Sequence, residues 1–361
     1  MNLTLAQKRL TMERHAFEQM CRSAFDEMKK QSTLYQPTDF WAGACIEIFD
    51  NIKKEGISNF RRAQLPLSYF VPTYGYPGNG LGKPSEALIQ PMLGTGMLSE
   101  KQQQTLTAML SGRSQAEADY RVLLASHSVH NKSNLMHFSE SKVGDPIEHF
   151  DFDGNWYSRS ALNYLLGLCF LNQYTPLSDI RTVVEIGGGY GTLGEVLVKT
   201  NDKIRYLDFD IAPTLNVAEY YLSEVFGKDN VGGFFRSETP RDVVSNARNL
   251  NVFGAWQIEE LNEPIDLFVN FISFQEMEPE IVQNYLNHID RVEAKWVLLR
   301  NIREGKQSIK THGFGVKDPI FTDDYGRMLP NYELVASNVR PFGLKTIDGF
   351  HSELLLLKRK A

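Results

Sequence analysis

The sequence predicts an α/β protein, in which a mostly helical N-terminal domain precedes a seven-stranded, doubly wound and mostly parallel sheet. From Ile180 onward, short apolar segments alternate with amphipathic segments in the order strand, helix, strand, helix. A dense run of glycines separates the first of these strands from the first helix. The last two strand-like segments are too close together for a crossover helix, which is typical of an antiparallel pair. Five alternating strands and a terminal hairpin therefore account for the seven.

The elements of this half follow from the period of the apolar residues. The alternating strands are predicted at Val183–Ile186, Tyr206–Ile211, Val252–Ile258, Ile265–Ile272 and Trp296–Ile302. The helices between them are predicted at Leu193–Lys199, Thr214–Phe226 and Glu280–Val292. The terminal pair is predicted at Tyr332–Val339 and Ser352–Lys358.

The first half of the chain lacks this alternation, and we expect a domain over residues 1–175 and a sheet domain over 176–361. Residues 66–84 are rich in proline, glycine and tyrosine, which predicts an ordered irregular loop or a lid. Helices are predicted in the first domain at Leu3–Lys30, Asp39–Lys54, Ser99–Leu110 and Gln115–Leu124.

Composition excludes several classes of protein. The formal net charge of −6 argues against a nucleic-acid partner, which usually requires a basic surface. No apolar run approaches the roughly 18 residues of a membrane span, and the charged first twenty residues lack the apolar core of a signal peptide. Three widely spaced cysteines, Cys21, Cys45 and Cys169, indicate reduced thiols. We therefore expect a cytoplasmic protein.

The glycine run, Glu185 to Gly191, predicts a cofactor site. Glycines between a strand and a helix let a ligand approach the backbone and point amide N–H groups at it. Gly189-x-Gly191-x-x-Gly194 fits dinucleotides, whereas acid-x-Gly-x-Gly-x-Gly fits S-adenosylmethionine (SAM). Glu185 favours SAM, because a carboxylate suits its cationic methionine end and repels a pyrophosphate. The cofactor residues predicted in the run are Glu185, Gly187, Gly188, Gly189, Tyr190 and Gly191.

The carboxyl ends of the later strands supply further candidates, because ligands bind there in open α/β sheets. Asp208 and Asp210 share one face of the second strand, and either acid can bind the ribose hydroxyls of the cofactor. We prefer Asp210, which lies nearer the strand end. Gln257 is expected near the adenine. The residues expected at the methyl-transfer site are Asn270, Ser273 and Gln275, together with Glu276.

The sheet half resembles the class I SAM-dependent methyltransferases, and most of the chain is similar to the bacterial sugar O-methyltransferase family. The glycine run is specific for the superfamily, and the other matching segments are moderately specific for the narrower family. One departure is Ala212, an extra residue before Pro213. The further segments that carry the resemblance are Asp39–Trp41, Phe60–Arg61, Val143–Pro146, Asp210–Pro213, Glu219–Leu222 and Ser273–Met277.

The resemblance implies a Rossmann-like fold, SAM as cofactor, and O-methylation of a sugar hydroxyl or of a glycosylated small molecule, as in natural product biosynthesis. Such a hydroxyl needs a base or a metal to remove its proton. Our candidate bases are His312, Glu276 and His351, and a surface or structural role is the alternative for each histidine. Mg²⁺ held by Glu276 with Asp323 and Asp324 is an option, but we assign no metal site.

The helical domain is expected to shape the acceptor pocket and is a candidate surface for a homodimer. Aromatic side chains can stack on a sugar, and the candidates are Tyr69, Tyr74, Tyr76 and Trp156, with core packing as the alternative. Three other functions stay open. They are N- or C-methylation of another small metabolite, an NAD-dependent oxidoreductase, and a non-catalytic SAM-binding subunit.

Overall fold

The structure is a computed structural model that describes residues 5–63, 68–70, 87–127, 134–241, 248–312, 315–340 and 351–361. A small antiparallel hairpin, β1 (Phe150–Phe152) and β2 (Asn155–Tyr157), precedes the main sheet. Within the described residues the main sheet has eight strands in the order β5-β6-β4-β3-β7-β8-β10-β9. These strands are β3 (Thr182–Ile186), β4 (Arg205–Asp210), β5 (Val231–Gly233), β6 (Leu250–Gly254), β7 (Leu267–Phe271), β8 (Trp296–Ile302), β9 (Tyr332–Arg340) and β10 (Ser352–Arg359).

Helices surround both sheets, and the long ones of the first half lie close to the predicted positions. The helices before the main sheet are α1 (Leu5–Met28), α2 (Asp39–Glu55), α3 (Glu100–Leu110), α4 (Arg113–Ser126) and α5 (Arg159–Leu171). The helices within the sheet half are α6 (Thr192–Thr200), α7 (Thr214–Phe226), α8 (Pro279–Arg291), α9 (Ile309–His312) and α10 (Thr322–Met328).

The parallel part of the sheet confirms the predicted alternation, with one strand placed wrongly and one missed. The predicted strand Val252–Ile258 overruns, because β6 ends at Gly254 and a 3-10 helix covers Ala255–Glu260. The Gln257 side chain accepts a hydrogen bond from the Gly254 N–H at 2.9 Å and so turns the chain out of the sheet. Strand β5 was missed because its three residues, Val-Gly-Gly, carry no apolar alternation.

The terminal pair is antiparallel, as its short connection predicted. Strand β10 pairs with β9 on one side and with β8 on the other, and both pairings are antiparallel. The last strand therefore inserts between β8 and β9 rather than extending the edge. This insertion leaves β9 parallel to β8 and makes β9 one edge of the sheet.

Helix α5 was not predicted, and it is the element that joins the two halves. All of its residues from Arg159 to Leu171 are buried, so the helix lacks the polar face that would reveal its period. It belongs to one continuous apolar cluster that also contains Phe17 and Ile48 of the N-terminal helices and Val183 and Leu298 of the sheet. The other face of the sheet has its own cluster, packed under α8. The domain boundary after residue 175 stays a prediction.

Two expectations from composition can be compared with the described part of the chain. Its helices include none with both the length and the apolar character to cross a bilayer. Cys21, Cys45 and Cys169 are free and buried.

Two helical glycines make a matched test of this packing. In α5, a Cβ at Gly167 would overlap the ring of Phe271, coming within 2.8 Å of Cε2, and that ring is stacked on Tyr164 at 5.0 Å. A Cβ at Gly43 in α2 would meet no atom within 4 Å. We expect Gly167→Ala to lower the free energy of unfolding by about 1–3 kcal/mol and Gly43→Ala to raise it by about 0.8 kcal/mol.

Denaturant titration of the two variants at one pH measures both effects. A Gly167→Ala protein that is as stable as the Gly43→Ala protein would contradict the close packing of α5 on β7.

Candidate active site

An open cavity of about 240 Å³ lies at the carboxyl edge of the parallel strands. The glycine run forms one part of the lining, and the N-terminal half supplies another part through Phe40, Trp41 and Tyr69. The register explains this position, since Glu185 at the end of β3 is paired with Asp208 of β4 and Val269 of β7. Loops that follow these parallel strands therefore converge at one edge.

The glycine run makes a tight turn with side chains packed directly beneath it. A Cβ at Gly188 would lie 2.6 Å from Asp208 Oδ1, 2.8 Å from Glu185 Oε2 and 2.8 Å from the Tyr206 hydroxyl. Gly189 differs, because its nearest neighbour would be Phe70 Cδ1 at 3.9 Å, on the cavity side. Gly188 is thus required by packing, whereas Gly189 keeps its place in the cavity wall free of a side chain.

Two of the predicted cofactor acids support the turn from below instead of lining the cavity. Glu185 is fully buried and accepts hydrogen bonds from the hydroxyls of Tyr164 at 2.8 Å and Tyr206 at 2.5 Å. Asp208 is also fully buried and accepts one from the Gly188 N–H at 3.2 Å. Burial raises the pKa of Glu185 to about 8. Burial, and then the neighbouring Asp210 and Glu185 carboxylates, raise the pKa of Asp208 well above its ordinary value.

Asp210 is the acid that reaches the cavity. It ends β4, lines the cavity, and accepts hydrogen bonds from the Ile211 N–H at 2.7 Å and the Gly189 N–H at 3.1 Å. Burial raises its pKa to about 7. Each carboxylate oxygen still has accepting capacity for a ligand hydroxyl. Of the two aspartates, Asp210, which we preferred from the sequence, is the one that lines the cavity.

Tyr190 ties the turn to the N-terminal half. Its hydroxyl donates to Glu140 Oε1 at 3.2 Å, and its ring lies 5.0 Å from the guanidinium of Arg61. Arg61 and Glu140 form a fully buried ion pair at 2.8 Å, and Glu140 also accepts from the Ser158 hydroxyl at 3.0 Å. A buried ion pair of this kind fixes orientation more than it adds stability.

The end of β7 is strained where it enters the cavity. Ile272 has a φ of 75°, a backbone conformation that a β-branched residue rarely adopts. Such residues cost about 1–3 kcal/mol and cluster at ligand sites. The strain aims Ser273 into the cavity, where its hydroxyl donates to the Ile186 carbonyl at 3.1 Å.

A charged pair in the cavity lining joins the segment after β7 to the segment after β8. Glu276 and Lys306 both line the cavity and pair at 2.8 Å. Trp41 of α2 donates its indole N–H to the other Glu276 oxygen at 3.1 Å, and Lys306 lies 4.6 Å from the centre of the Phe40 ring. Both charges are therefore fixed against aromatic side chains of the N-terminal half.

The aromatic candidates separate into two groups. Tyr69 lines the cavity beside Trp41, with the ring centres 5.7 Å apart. Trp156 is half-buried and stacks on His149 at 5.1 Å, outside the cavity lining. Tyr74 and Tyr76 lie outside the described residues.

Several predicted residues brace the site without lining it. Asn270 donates to the Ile186 carbonyl at 2.9 Å and so links β7 to β3. Gln275 accepts from the Ile302 N–H at 2.8 Å and so links the segment after β7 to β8. Gln257 stabilises the turn after β6. The predicted residues that line the cavity are Gly187, Gly188, Gly189, Tyr190, Asp210, Ser273 and Glu276. Those that do not are Glu185, Gly191, Asp208, Gln257, Asn270, Gln275 and His351.

The histidine and metal candidates are not assembled around the cavity in the described residues. His351 contacts Glu304 through its ring Nδ1, and its backbone N–H donates to the same carboxylate at 2.9 Å. His312 ends α9, and its side chain lies outside the described part of the chain. Asp324 accepts from the Phe321 N–H at 2.7 Å at the start of α10. Across the described residues, no three histidine, cysteine or acidic side chains form a metal-binding group.

Sequence patterns missed much of the cavity wall. Ser160 and Asn163 lie one helical turn apart on α5, a spacing that is visible only once the helix is recognised. Lys306 follows a strand end, where the rule for α/β sheets could have found it. The missed residues that line the cavity include Phe40, Trp41, Ser160, Asn163, Tyr164, Arg300 and Lys306.

No family model and no curated protein matches the chain. Among solved structures, it is similar to magnesium protoporphyrin IX methyltransferase from Synechocystis PCC 6803 with bound SAM (13% identity, TM-score 0.37, 56% of this chain and 80% of that chain). It is also similar to the mitomycin 7-O-methyltransferase MmcR (11%, 0.38, 91% and 76%) and to the cyclopropane synthase MmaA2 from Mycobacterium tuberculosis (10%, 0.36, 55% and 85%). At these values the likeness does not identify an activity for this chain.

The buried acid beneath the turn makes stability depend on pH. Because the pKa of Glu185 is about 8 in the folded protein against an ordinary 4.5, its contribution to stability is complete below pH 4.5 and is lost as the pH rises toward 8. Glu185→Gln keeps the size and removes the titration. Relative to the native protein, the variant should gain at least about 1 kcal/mol between pH 5 and pH 8, since one pKa unit corresponds to about 1.4 kcal/mol.

Urea titrations of both proteins at pH 5, 6.5 and 8 give this difference. Stability curves that stay parallel over that range would show that Glu185 does not titrate there.

Proposed function

We propose that this chain is a SAM-dependent methyltransferase. The observation that carries the proposal is the pairing of Gly189 and Asp210 in one cavity wall, with the Gly189 N–H 3.1 Å from the Asp210 carboxylate. A nucleoside laid over Gly189 meets backbone without a side chain, and its ribose hydroxyls meet the acid at the end of β4. This is the arrangement that a nucleoside cofactor needs at the carboxyl edge of an α/β sheet.

The hydrogen bonds of the turn favour SAM over a dinucleotide. A pyrophosphate binds to free amide N–H groups at the start of a helix. Here the Gly188 and Gly189 N–H groups already donate to the carboxylates of Asp208 and Asp210. A pyrophosphate would find these two amides occupied, and an ionised Asp210 carboxylate would repel it while attracting the cationic end of SAM.

We propose a hydroxyl of a sugar or of a glycosylated small molecule as the acceptor. Support comes from the part of the lining where Phe40, Trp41 and Tyr69 lie beside the charged pair of Glu276 and Lys306. A polyhydroxylated ring offers apolar C–H faces to such rings and hydroxyls to such charges. N- or C-methylation of another metabolite uses the same cofactor site and is the second candidate.

Glu276 is the base that we propose for the acceptor hydroxyl. Of the two candidates whose side chains the structure describes, Glu276 lines the cavity and His351 does not, and Trp41 and Lys306 hold the Glu276 carboxylate in place. The transferred methyl needs the donor sulfur and the acceptor oxygen in line, so a fixed base also orients the acceptor. His312 stays a second candidate, because α9 follows β8 at the same edge.

We also propose a cytoplasmic protein. The three buried free thiols are the supporting observation, since a reducing compartment preserves them.

Binding of S-adenosylhomocysteine, measured by calorimetry, tests the cofactor site. Gly189→Asn puts a side chain into the cavity wall, and asparagine is the residue that best tolerates the φ of 66° there. We expect an affinity loss of about tenfold or more, or about 1.4 kcal/mol.

Gly154→Asn is the matched control. Gly154 has a φ of 84°, no atom within 4 Å of its missing Cβ, and no part in the cavity lining. The Gly154→Asn variant should bind S-adenosylhomocysteine with the affinity of the native protein. Equal affinity in both variants would remove the glycine turn from the cofactor site, and no binding by the native protein would refute the proposed function.

Turnover of an acceptor found by screening sugars and glycosides tests the base. Glu276→Gln should lower kcat by about a hundredfold or more, as expected for loss of a general base, while the dissociation constant of S-adenosylhomocysteine stays unchanged. Glu304→Gln is the control, because Glu304 pairs with His351 away from the cavity lining. Undiminished turnover by Glu276→Gln would exclude Glu276 as the base.

A further inference from the structure

The cavity has a polar floor that the roles above leave unused. It is formed by Ser160 and Asn163 of α5 and by Arg300 of β8, which all line the cavity and are all at least nine-tenths buried. Side chains alternate along a strand, so Arg300 lies on the same face of the sheet as Leu298, whose apolar cluster contains α5. The floor therefore lies between α5 and the sheet, beside the stacked rings of Tyr164 and Phe271.

Ser160 indicates that this floor is built for a ligand. The residue is 5% exposed, and within the described chain its hydroxyl has no hydrogen-bond partner. Leaving a buried hydroxyl unsatisfied costs free energy, and a native protein keeps such a group where a ligand or water completes it.

The charge of the floor indicates an anion. Arg300 is 2% exposed, and a guanidinium at a buried site suits the two oxygens of a carboxylate. Ser160 also lies in the first turn of the thirteen-residue helix α5, whose amino end favours negative charge.

We propose that Arg300 and Ser160 form a carboxylate-binding subsite on the floor of the cavity. The inference rests on the proposed function, which supplies two sources of the carboxylate. One is the amino-acid end of SAM. The other is an acidic acceptor such as a uronic acid.

The first arm of the test concerns the cofactor. S-adenosylhomocysteine and 5′-methylthioadenosine share the nucleoside and the thioether, but the second ligand has no carboxylate. If the subsite takes the carboxylate of SAM, Arg300→Met should weaken binding of S-adenosylhomocysteine about tenfold or more and leave methylthioadenosine unchanged. Arg300→Lys, which keeps the charge and loses the planar fork, should restore part of the loss.

The second arm concerns the acceptor. The protein saturated with S-adenosylhomocysteine is titrated with D-glucuronate and with D-glucose, its neutral counterpart. If the subsite takes an acceptor carboxylate, the native protein should bind glucuronate more tightly than glucose by about tenfold or more, and Arg300→Met should abolish that preference.

The thermal unfolding midpoint of Arg300→Met shows whether this variant folds. If it does not fold, Ser160→Ala tests the subsite in its place. The alanine variant removes one hydroxyl and should weaken the same ligand by a smaller factor, about threefold to tenfold. Failure of both arms, with carboxylate binding independent of Arg300 and Ser160, overturns the subsite.

The two proposals fail separately. Absence of S-adenosylhomocysteine binding by the native protein refutes the methyltransferase. The glucuronate titration of the cofactor-free protein then still tests the carboxylate subsite. Tighter binding of glucuronate than of glucose, abolished by Arg300→Met, supports the subsite. Equal binding of glucuronate and glucose overturns it.

Discussion

The contact between the Gly188 backbone and the side chains beneath it is the constraint on which the site depends. Asp208, Glu185 and Tyr206 occupy the volume that any side chain at Gly188 would need, so the turn after β3 can descend onto the sheet only through glycine. The same packing turns the amide of Gly188 toward Asp208 and that of Gly189 toward Asp210. The two amides are therefore occupied by acids and do not face the cavity as free donors, which is unfavourable for a pyrophosphate.

The N-terminal half completes the site that the sheet begins. Glu140 and Arg61 hold Tyr190 of the turn, Tyr164 of α5 binds Glu185, and Trp41 of α2 binds Glu276. Two of these contacts reach the end of β3 and its turn, and the third reaches the segment after β7, so the cavity wall is fixed at several points at once. The proposed methyl transfer would need such preorganisation, because donor and acceptor must be aligned before reaction.

Local pattern was sufficient to predict the alternating strands, the glycine turn and the acid at the end of β4. It failed where position depends on partners distant in sequence. Helix α5 is buried on every side and so shows no amphipathic period. Glu185 carries the expected charge, but two tyrosine hydroxyls turn its side chain beneath the turn. Arg300 looks like an ordinary strand residue until α5 is packed opposite it.

A crystal structure of the protein with S-adenosylhomocysteine would show whether the cavity holds the cofactor. We expect the nucleoside to lie over Gly189 and its ribose hydroxyls to lie about 2.7–3.2 Å from the Asp210 carboxylate. The hydrogen bonds from Gly188 and Gly189 to the two aspartates would stay in place. A ligand bound elsewhere, or a nucleoside that leaves Asp210 without a contact, would contradict the assignment of this cavity to SAM.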